Sequence, residues 1–312
     1  MTSNASQNNE TGPAPPRGSP NRREFVKGAA LAGATAAVLG AVGWMASGGK
    51  EDLEAQPPAR RIVARKVNKV SLDPADASWR QAPALEVPLL AQNMTTPRVA
   101  VPTILSLSLR VLHDGNDIAF HLQWADDEVD DIEAMGRFRD SVAVELPVDP
   151  RQNANVMMGQ PGRPVHILHW RASWQTEVDT GGRSLARAFP NAFSEVSPES
   201  IMGEEGARAH YPALYLNNPM ASRKRTTPVE ELVAEGFGTL TSHAEQRAQG
   251  RGSLADGLWT VVIAMPMAGG ENKANLRPGD VTRVAVAAWD GAAGNRGARK
   301  QWSNWVALEV EV

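Results

Sequence analysis

One stretch, TILSLSLRVLHDGNDIAFHLQW at residues 103–124, constrains the fold more than any other part of the chain. Apolar residues alternate with others along both of its arms, at Leu105, Leu107, Leu109 and Val111 and again at Ile118, Phe120, Leu122 and Trp124. A period of two places alternate side chains on one face of a strand, and the intervening His-Asp-Gly-Asn-Asp segment is typical of a turn. The stretch therefore predicts a β-hairpin whose apolar face must pack against another layer.

Six further runs have sequence patterns typical of short strands: Arg61–Val70, Ser141–Leu146, Pro164–Arg171, Leu258–Met265, Thr282–Trp289 and Trp305–Val312. Many short strands separated by Gly, Pro and Asp turns favour an antiparallel β-sandwich. The predicted fold class is therefore all-β, with one sandwich domain over residues 60–312 and a long irregular, partly helical insert from Gln175 to Arg251. Within this insert, Thr227 followed by Pro228–Ala234 predicts a short capped helix. An insert of this length is often functional.

The first 50 residues form a separate segment. Residues 1–20 are polar and rich in Pro, Gly, Ser and Asn, which predicts disorder. Arg22-Arg23-x-Phe25-Val26-Lys27 and the Ala/Gly-rich run from Ala29 to Ala46 then resemble a bacterial twin-arginine export signal. This resemblance implies a periplasmic location, and a signal left uncleaved would instead serve as a membrane tether.

The composition excludes several kinds of chemistry. The chain of 312 residues has no cysteine, so it cannot form a disulfide, a cysteine-held iron–sulfur cluster, a thiolate zinc site or a C-x-x-C-H haem attachment. The net charge is −3 and no sustained basic face is visible, which argues against nucleic acid as a partner. The sequence also lacks the common hydrolase and nucleotide-binding motifs, so it offers no nucleophile or phosphate loop.

The histidines and the acidic residues give no specific site. His166 and His169 are three positions apart on one predicted strand, so they point to opposite faces and cannot share one metal ion. Each of the six histidines, taken alone, is typical of a surface or hydrogen-bonded strand position. The run from Asp126 to Glu133 lacks the glycine of a calcium-binding loop, so it indicates a solvated acidic loop.

Met157 and Met158 stand at the edge of a loop that continues with Gly159, Pro161 and Gly162. A thioether is a soft ligand suited to haem iron. Methionine is also a common filler of irregular apolar space. The residues alone leave both interpretations open.

Seven motifs in order carry a resemblance that covers most of residues 60–312: HDGNDIAFHLQWADDEVD, FRDSVAVELP, MMGQPGRPVHILHW, YPALYLNNP, EGFGTLT, GRGSLADGLWTVVIAMPM and VAVAAWDGAAGNRGARKQWSNWVALEV. Together they resemble the haem b-binding γ subunit of the ethylbenzene dehydrogenase, dimethylsulfide dehydrogenase and chlorate/selenate reductase group. These complexes are of the type II DMSO reductase family.

The resemblance implies one non-covalent haem b whose iron is held by a methionine and a lysine. The matching methionine is Met158, with Met157 as the alternative, and the matching lysine is Lys300, with Lys273 as the alternative. A lysine binds iron only as the neutral amine, so such a site must be shielded from water. Arg163, or arginines of the insert, is the expected partner of the haem propionates.

The predicted function is therefore that of a non-catalytic electron-transfer subunit of an exported molybdenum oxidoreductase complex. The family implies a molybdenum catalytic subunit, an iron–sulfur subunit and a soluble carrier such as a c-type cytochrome as partners. The alternative is a haem-free carbohydrate- or ligand-binding β-sandwich module, in which exposed tryptophans would stack on the ligand. An independent enzyme ranks last, because no nucleophile–base pair is visible.

Overall fold

The structure is a computed structural model that describes residues 58, 60–182, 185–191, 203, 205–206, 208–216, 218–222 and 224–312. The disorder and the export signal predicted for the first 50 residues lie outside these ranges. Among the described helices, none is long and apolar enough to cross a membrane.

Fourteen strands of the described chain form one continuous hydrogen-bonded sheet. They are β1 (Arg61–Lys66), β2 (Leu85–Pro88), β3 (Leu90–Ala91), β4 (Ser106–His113), β5 (Asp117–Ala125), β6 (Ser141–Pro147), β7 (Val165–Arg171), β8 (Val229–Ala234), β9 (Thr241–Ser242), β10 (Gln249–Ala255), β11 (Leu258–Pro266), β12 (Val281–Trp289), β13 (Gln301–Trp302) and β14 (Val306–Val310). The helical elements are short: α1 (Ala172–Thr180), α2 (Leu185–Ala188), α3 (Pro212–Tyr215) and the 3₁₀ turns η1 (Ala77–Gln81) and η2 (Pro219–Ala221).

The predicted hairpin is confirmed in β4 and β5, which pair antiparallel with Leu109 opposite Leu122. Asp114 holds the turn, because its Oδ1 accepts the backbone N–H groups of Asn116 at 3.0 Å and Asp117 at 2.9 Å. His113, expected within the turn, is instead the fully buried last residue of β4.

The two halves of the sheet face each other as a β-sandwich. The strand order is β10-β11-β5-β4-β1-β14-β12-β6-β7-β8-β9. One half contributes Phe120 and Ile263 to the main core, and the other contributes Leu168 and Val286. The sheet is mixed and not wholly antiparallel as expected, because β1 fills the seam between the halves and runs parallel to both β4 and β14.

The insert contains more strand than the sequence indicated. The segment predicted as a helix, Pro228–Ala234, forms strand β8, which pairs antiparallel with β7 and with β9. Strand β10 closes the insert by pairing with β11. The helix prediction is wrong because β8 is covered on both faces, so its buried positions do not alternate.

The pleat of strands β6, β7, β8 and β12 creates a second apolar surface outside the sandwich. Side chains of alternate residues point away from the main core. The buried members of this outer cluster are Ala143, Ala154, Val165, Ile167, Leu232, Ala234, Ala287 and Trp289, and Met158, Trp302 and Trp305 pack on them. We call this surface the outer face. The loop between β6 and β7 supplies Ala154 and Met158 to it, and the loop between β13 and β14 supplies Trp305.

Candidate functional site

Met158 lies in the loop that connects β6 to β7, in a backbone conformation that is rare for any residue except glycine. Its φ is 68°, and the next residue, Gly159, has a φ of 74°. The Met158 carbonyl accepts the Gly236 N–H at 2.7 Å, and the Asn155 carbonyl accepts the Gly159 N–H at 2.8 Å. A non-glycine residue held in the left-handed region by such contacts is typical of a functional position.

Lys300 lies in the loop that connects β12 to β13. This loop is tied to the outer face by Trp289, whose Nε1 donates to the Gly297 carbonyl at 2.9 Å. The Lys300 Nζ lies 5.5 Å from the centroid of the Trp289 ring. Burial lowers the pKa of Lys300, although the nearby Glu145 carboxyl opposes this shift.

Glu145, on β6, lies between the two predicted ligands. Burial raises its pKa to about 8, and the charge of Lys300 and the backbone amide of Met158 both oppose that rise. Strand β6 is central, between β12 and β7; the Met158 loop leaves β6 itself, and the Lys300 loop leaves its antiparallel neighbour β12. The fold therefore brings Met158 and Lys300 to the same carboxyl group on the outer face.

These side chains border one area of the outer face, which we call the recess. Glu145, Met158, His169 and Lys300 each keep accessible surface, whereas Ala143 and Ala287 beside them on the sheet are buried. The pKa shifts of Glu145 and Lys300 are nevertheless those of groups surrounded by protein.

The recess has buried polar atoms without partners. Glu145 Oε1, His169 Nε2, Arg139 Nε, Arg171 Nε and Trp302 Nε1 make no hydrogen bond with any described residue. Leaving such an atom buried and unpaired costs about 1–3 kcal/mol, so a recess with several of them is suited to a polar ligand.

The other three predicted residues lie away from Glu145 or are engaged elsewhere. Met157 donates its backbone N–H to Asn155 Oδ1 at 2.9 Å and does not join the outer cluster. Arg163 donates from Nη1 to the Asn153 carbonyl at 3.3 Å within the loop. The Lys273 amine is held by Glu231 Oε2 at 3.0 Å and by the Glu245 carbonyl at 2.7 Å, on the opposite side of the sheet.

The histidines His166 and His169 point to opposite faces of β7, as the sequence indicated. His166 Nε2 lies 3.4 Å from Glu231 Oε1, next to Lys273. His169 stacks on Trp289, with 4.7 Å between ring centroids, on the outer face. No local pattern distinguishes His169 from the other histidines, because its stacking partner Trp289 belongs to β12, which is distant in the sequence.

The acidic loop is only partly solvated. Asp130 turns inward, and one carboxylate oxygen each of Asp130, Asp140 and Asp290 lies within 4.8 Å of the others. Burial raises the pKa of Asp140 to about 7, although hydrogen bonds from the backbone of Gly291 and from Trp259 oppose the shift. Asp140 also accepts the Asp130 N–H at 2.9 Å, so the group ties the acidic loop to the end of β12.

Cavities of about 260 and 610 Å³ lie elsewhere in the described chain. The smaller one is bordered by Trp174 and Arg225, and the larger one by Lys69 and Met265. Neither lining contains Met158, Lys300 or one of the alternative ligands.

The fold and this site define a class of protein: a β-sandwich with a polar recess on the outer face of one half, beneath two loops. Within that class, the chain belongs to the ethylbenzene dehydrogenase family, whose model matches residues 76–301. The match covers both loops and all four strands of the outer face.

Two relatives have names that concern reductases. The chain is 24% identical over 256 residues to a protein of Haloferax mediterranei described as a respiratory nitrate reductase heme subunit, covering 78% of this chain and 74% of the relative. It is 25% identical over 269 residues to the chlorate reductase subunit gamma of Ideonella dechloratans, covering 84% of each.

Among solved structures, the chain is similar to a family 9 carbohydrate binding module from Caldicellulosiruptor kristjanssonii. The identity is 9% and the TM-score 0.37, with 81% of this chain and 96% of the module covered. A likeness of this degree carries no information about what this chain binds.

Proposed function

We propose that this chain is the electron-transfer haem b subunit of an exported molybdenum oxidoreductase complex, with Met158 and Lys300 as the axial ligands of the iron. One observation carries the proposal: two loops that leave β6 and β12 bring these side chains to the same buried carboxyl, Glu145, above an alanine-lined face. The family membership and the names of the two relatives support the same function.

The residues of the recess fit a haem. Ala143, Ala285 and Ala287 occupy neighbouring positions on β6 and β12, so the centre of the outer face is flat and close to the backbone. Met158 offers a soft sulfur, and the nitrogen of Lys300 has its pKa lowered by burial. The unpaired buried atoms at the margin would match the polar edge of the macrocycle.

Haem supplies one-electron oxidation and reduction when it is bound. The protein's part is to hold Lys300 as the neutral amine, and burial favours that form because a charged ammonium loses hydration. The Met158 sulfur is presented by a loop that its neighbours hold in one conformation. Met158 and Lys300 would hold the iron, and a haem held by two protein side chains would transfer electrons without offering a position to a substrate.

Absorption spectroscopy of the full chain tests the proposal. Apoprotein is titrated with haem b, and spectra are recorded before and after reduction with dithionite. The proposal expects a low-spin six-coordinate spectrum with sharp reduced α and β bands. A protein that stays colourless after haem is offered would refute it and favour the haem-free carbohydrate- or ligand-binding module.

Two matched pairs of variants test the ligands. Lys300→Ala and Met158→Ala should each abolish the low-spin spectrum, because each removes one proposed ligand and supplies no other. Lys273→Ala and Met157→Ala should keep it. The opposite result within either pair would assign the ligand to Lys273 or to Met157.

The partners and the location follow from the same function. We infer that the chain docks with a molybdenum catalytic subunit and an iron–sulfur subunit, and passes electrons to or from a soluble carrier such as a c-type cytochrome. The relatives' names, as subunits of reductases, support an assembly of this kind. Purification of the native complex from periplasm, with analysis of molybdenum and iron, tests this; a chain recovered alone from the cytoplasm would contradict it.

A further inference from the structure

A group of nitrogen donors without acceptors surrounds His169 at one end of the recess. His169 and Arg171 are alternate residues of β7, so both side chains point to the outer face. Arg139 lies two residues before Ser141, which pairs with Arg171, and its side chain is 12% exposed. Burial lowers the pKa of His169 well below its usual value, and Arg171, Arg139 and Lys300 lower it further.

The hydrogen bonds define which nitrogen of His169 carries the proton. An Arg171 Nη2 lies 3.4 Å from His169 Nδ1, and because a guanidinium can only donate, Nδ1 is the acceptor. A neutral imidazole that accepts at Nδ1 has its proton on Nε2. His169 Nε2 is therefore a buried donor, and it has no acceptor among the described residues.

The two arginines are only partly used by the protein. Arg171 pairs with Glu230, donates from Nη1 to the Met220 sulfur at 2.7 Å, and lies over the Trp174 ring at 4.2 Å. Arg139 Nη1 pairs with Glu133 at 2.9 Å. The Nε–H of each guanidinium is buried and has no acceptor in the described part of the chain, so with His169 three N–H donors are unpaired there.

We propose that the group formed by Arg139, His169 and Arg171, which we call the donor triad, binds the carboxylate groups of the macrocycle. This inference rests on the proposed haem function and assigns the propionates to the outer-face strands. Donors of this kind are complementary to a carboxylate, which accepts up to four hydrogen bonds and donates none. Arg163, the arginine that the sequence suggested, already donates to its own loop and lies beside the Met158 end.

The test compares two ligands that differ only in these groups. Full-length apoprotein is titrated with haem b and with haem b dimethyl ester, and both dissociation constants are measured from the Soret band. The donor triad predicts that the wild-type protein binds the free acid at least about tenfold more tightly than the ester, because charge-assisted hydrogen bonds are lost. Equal affinities would overturn the inference and leave the haem function intact.

Variants locate the effect. Arg139→Gln and His169→Phe should each reduce the preference for the free acid, and the double variant should reduce it further, because only the Arg171 donor remains. Phe keeps the stacking on Trp289 without a donor. Arg61→Gln is the matched control, because it also removes an arginine–glutamate pair, at 2.8 Å, and should keep the wild-type preference. A double variant that keeps the wild-type preference would overturn the inference.

The two failures are distinguishable. A wild-type protein that gives no Soret change with either ligand would overturn the haem function and this inference together. A wild-type protein that binds both ligands equally overturns only the donor triad. Arg163→Gln adds a direct comparison, since loss of the preference in that variant alone would assign the carboxylates to the Met158 loop.

Discussion

Replacement of Gly159 by alanine should damage the Met158 loop far more than replacement of Gly162, although both glycines belong to the same loop. Both have a positive φ, 74° at Gly159 and 76° at Gly162. A side chain in the left-handed region costs about 1–2 kcal/mol, because the Cβ approaches the following carbonyl oxygen. Both variants therefore share this term.

The surroundings of the two positions differ. A Cβ at Gly159 would lie 2.7 Å from the Ala234 carbonyl oxygen, 3.0 Å from the Arg163 carbonyl oxygen and 3.3 Å from the Val165 nitrogen. A Cβ at Gly162 would have no atom within 4 Å. The atoms around Gly159 are backbone atoms that cannot rotate away, and overpacking of this kind adds about 1–3 kcal/mol. We expect losses of about 2–5 kcal/mol for Gly159→Ala and about 1–2 kcal/mol for Gly162→Ala.

Urea denaturation of both variants, followed by tryptophan fluorescence, measures the free energy of unfolding. The difference in unfolding free energy between the two variants measures the cost of packing the added Cβ against the sheet, because the backbone cost of a positive φ is common to both. Haem titration of the same proteins then relates this contact to the position of Met158. Equal losses of stability in the two variants would refute the reasoning, since the local packing would then have no measurable effect.

Three further predictions concern the core and the inner face of the sheet. Burial raises the pKa of Glu231, but hydrogen bonds from His166 and Lys273, among others, outweigh it and lower this pKa to about 2. The stability that this carboxylate contributes is therefore present above its ordinary pKa and is lost as the pH falls toward about 2. Glu231→Gln should therefore reduce the dependence of Tm on pH below about pH 5. An unchanged dependence of Tm on pH would contradict this. Lys273→Met should cost about 3–5 kcal/mol in urea at neutral pH, because Glu231 stays buried without its ammonium partner, and a loss below about 1 kcal/mol would argue against a buried pair. Gly252→Ala should cost about 1–3 kcal/mol by the same measurement, because a Cβ there would overlap the buried Trp170 ring, and a neutral effect would indicate that the ring can move.

Much of the sandwich could be predicted from local pattern. The alternation around residues 105–124 sets both strands and the turn, since one face of each strand is buried and the other is covered less completely. The same signal fails at β8, where Glu230 and Glu231 interrupt the apolar residues. Their charges are compensated by Arg171 and Lys273, which are 59 and 42 positions away in the sequence. Local pattern does not contain such partners.

The site could be predicted only in part for the same reason. The family resemblance indicates Met158 and Lys300, and both lie near Glu145 in the fold. Their ligation of haem iron stays a prediction. Glu145, which lies between them, has no sequence signal, because an isolated glutamate on a strand usually points to solvent. Arg139 and His169 likewise become significant only when β6 and β7 are placed side by side.

The position of β1 determines the order in which the molecule can be completed. Residues 61–64 pair with residues 307–310, so the first described strand obtains one of its neighbours from the last strand of the chain. A ribosome releases those two strands about 245 residues apart, and until the second emerges, the seam of the sandwich is an open edge. The sandwich can therefore close only after β14 has been synthesised. A protein truncated before β14 would expose the edge of β1 to other chains.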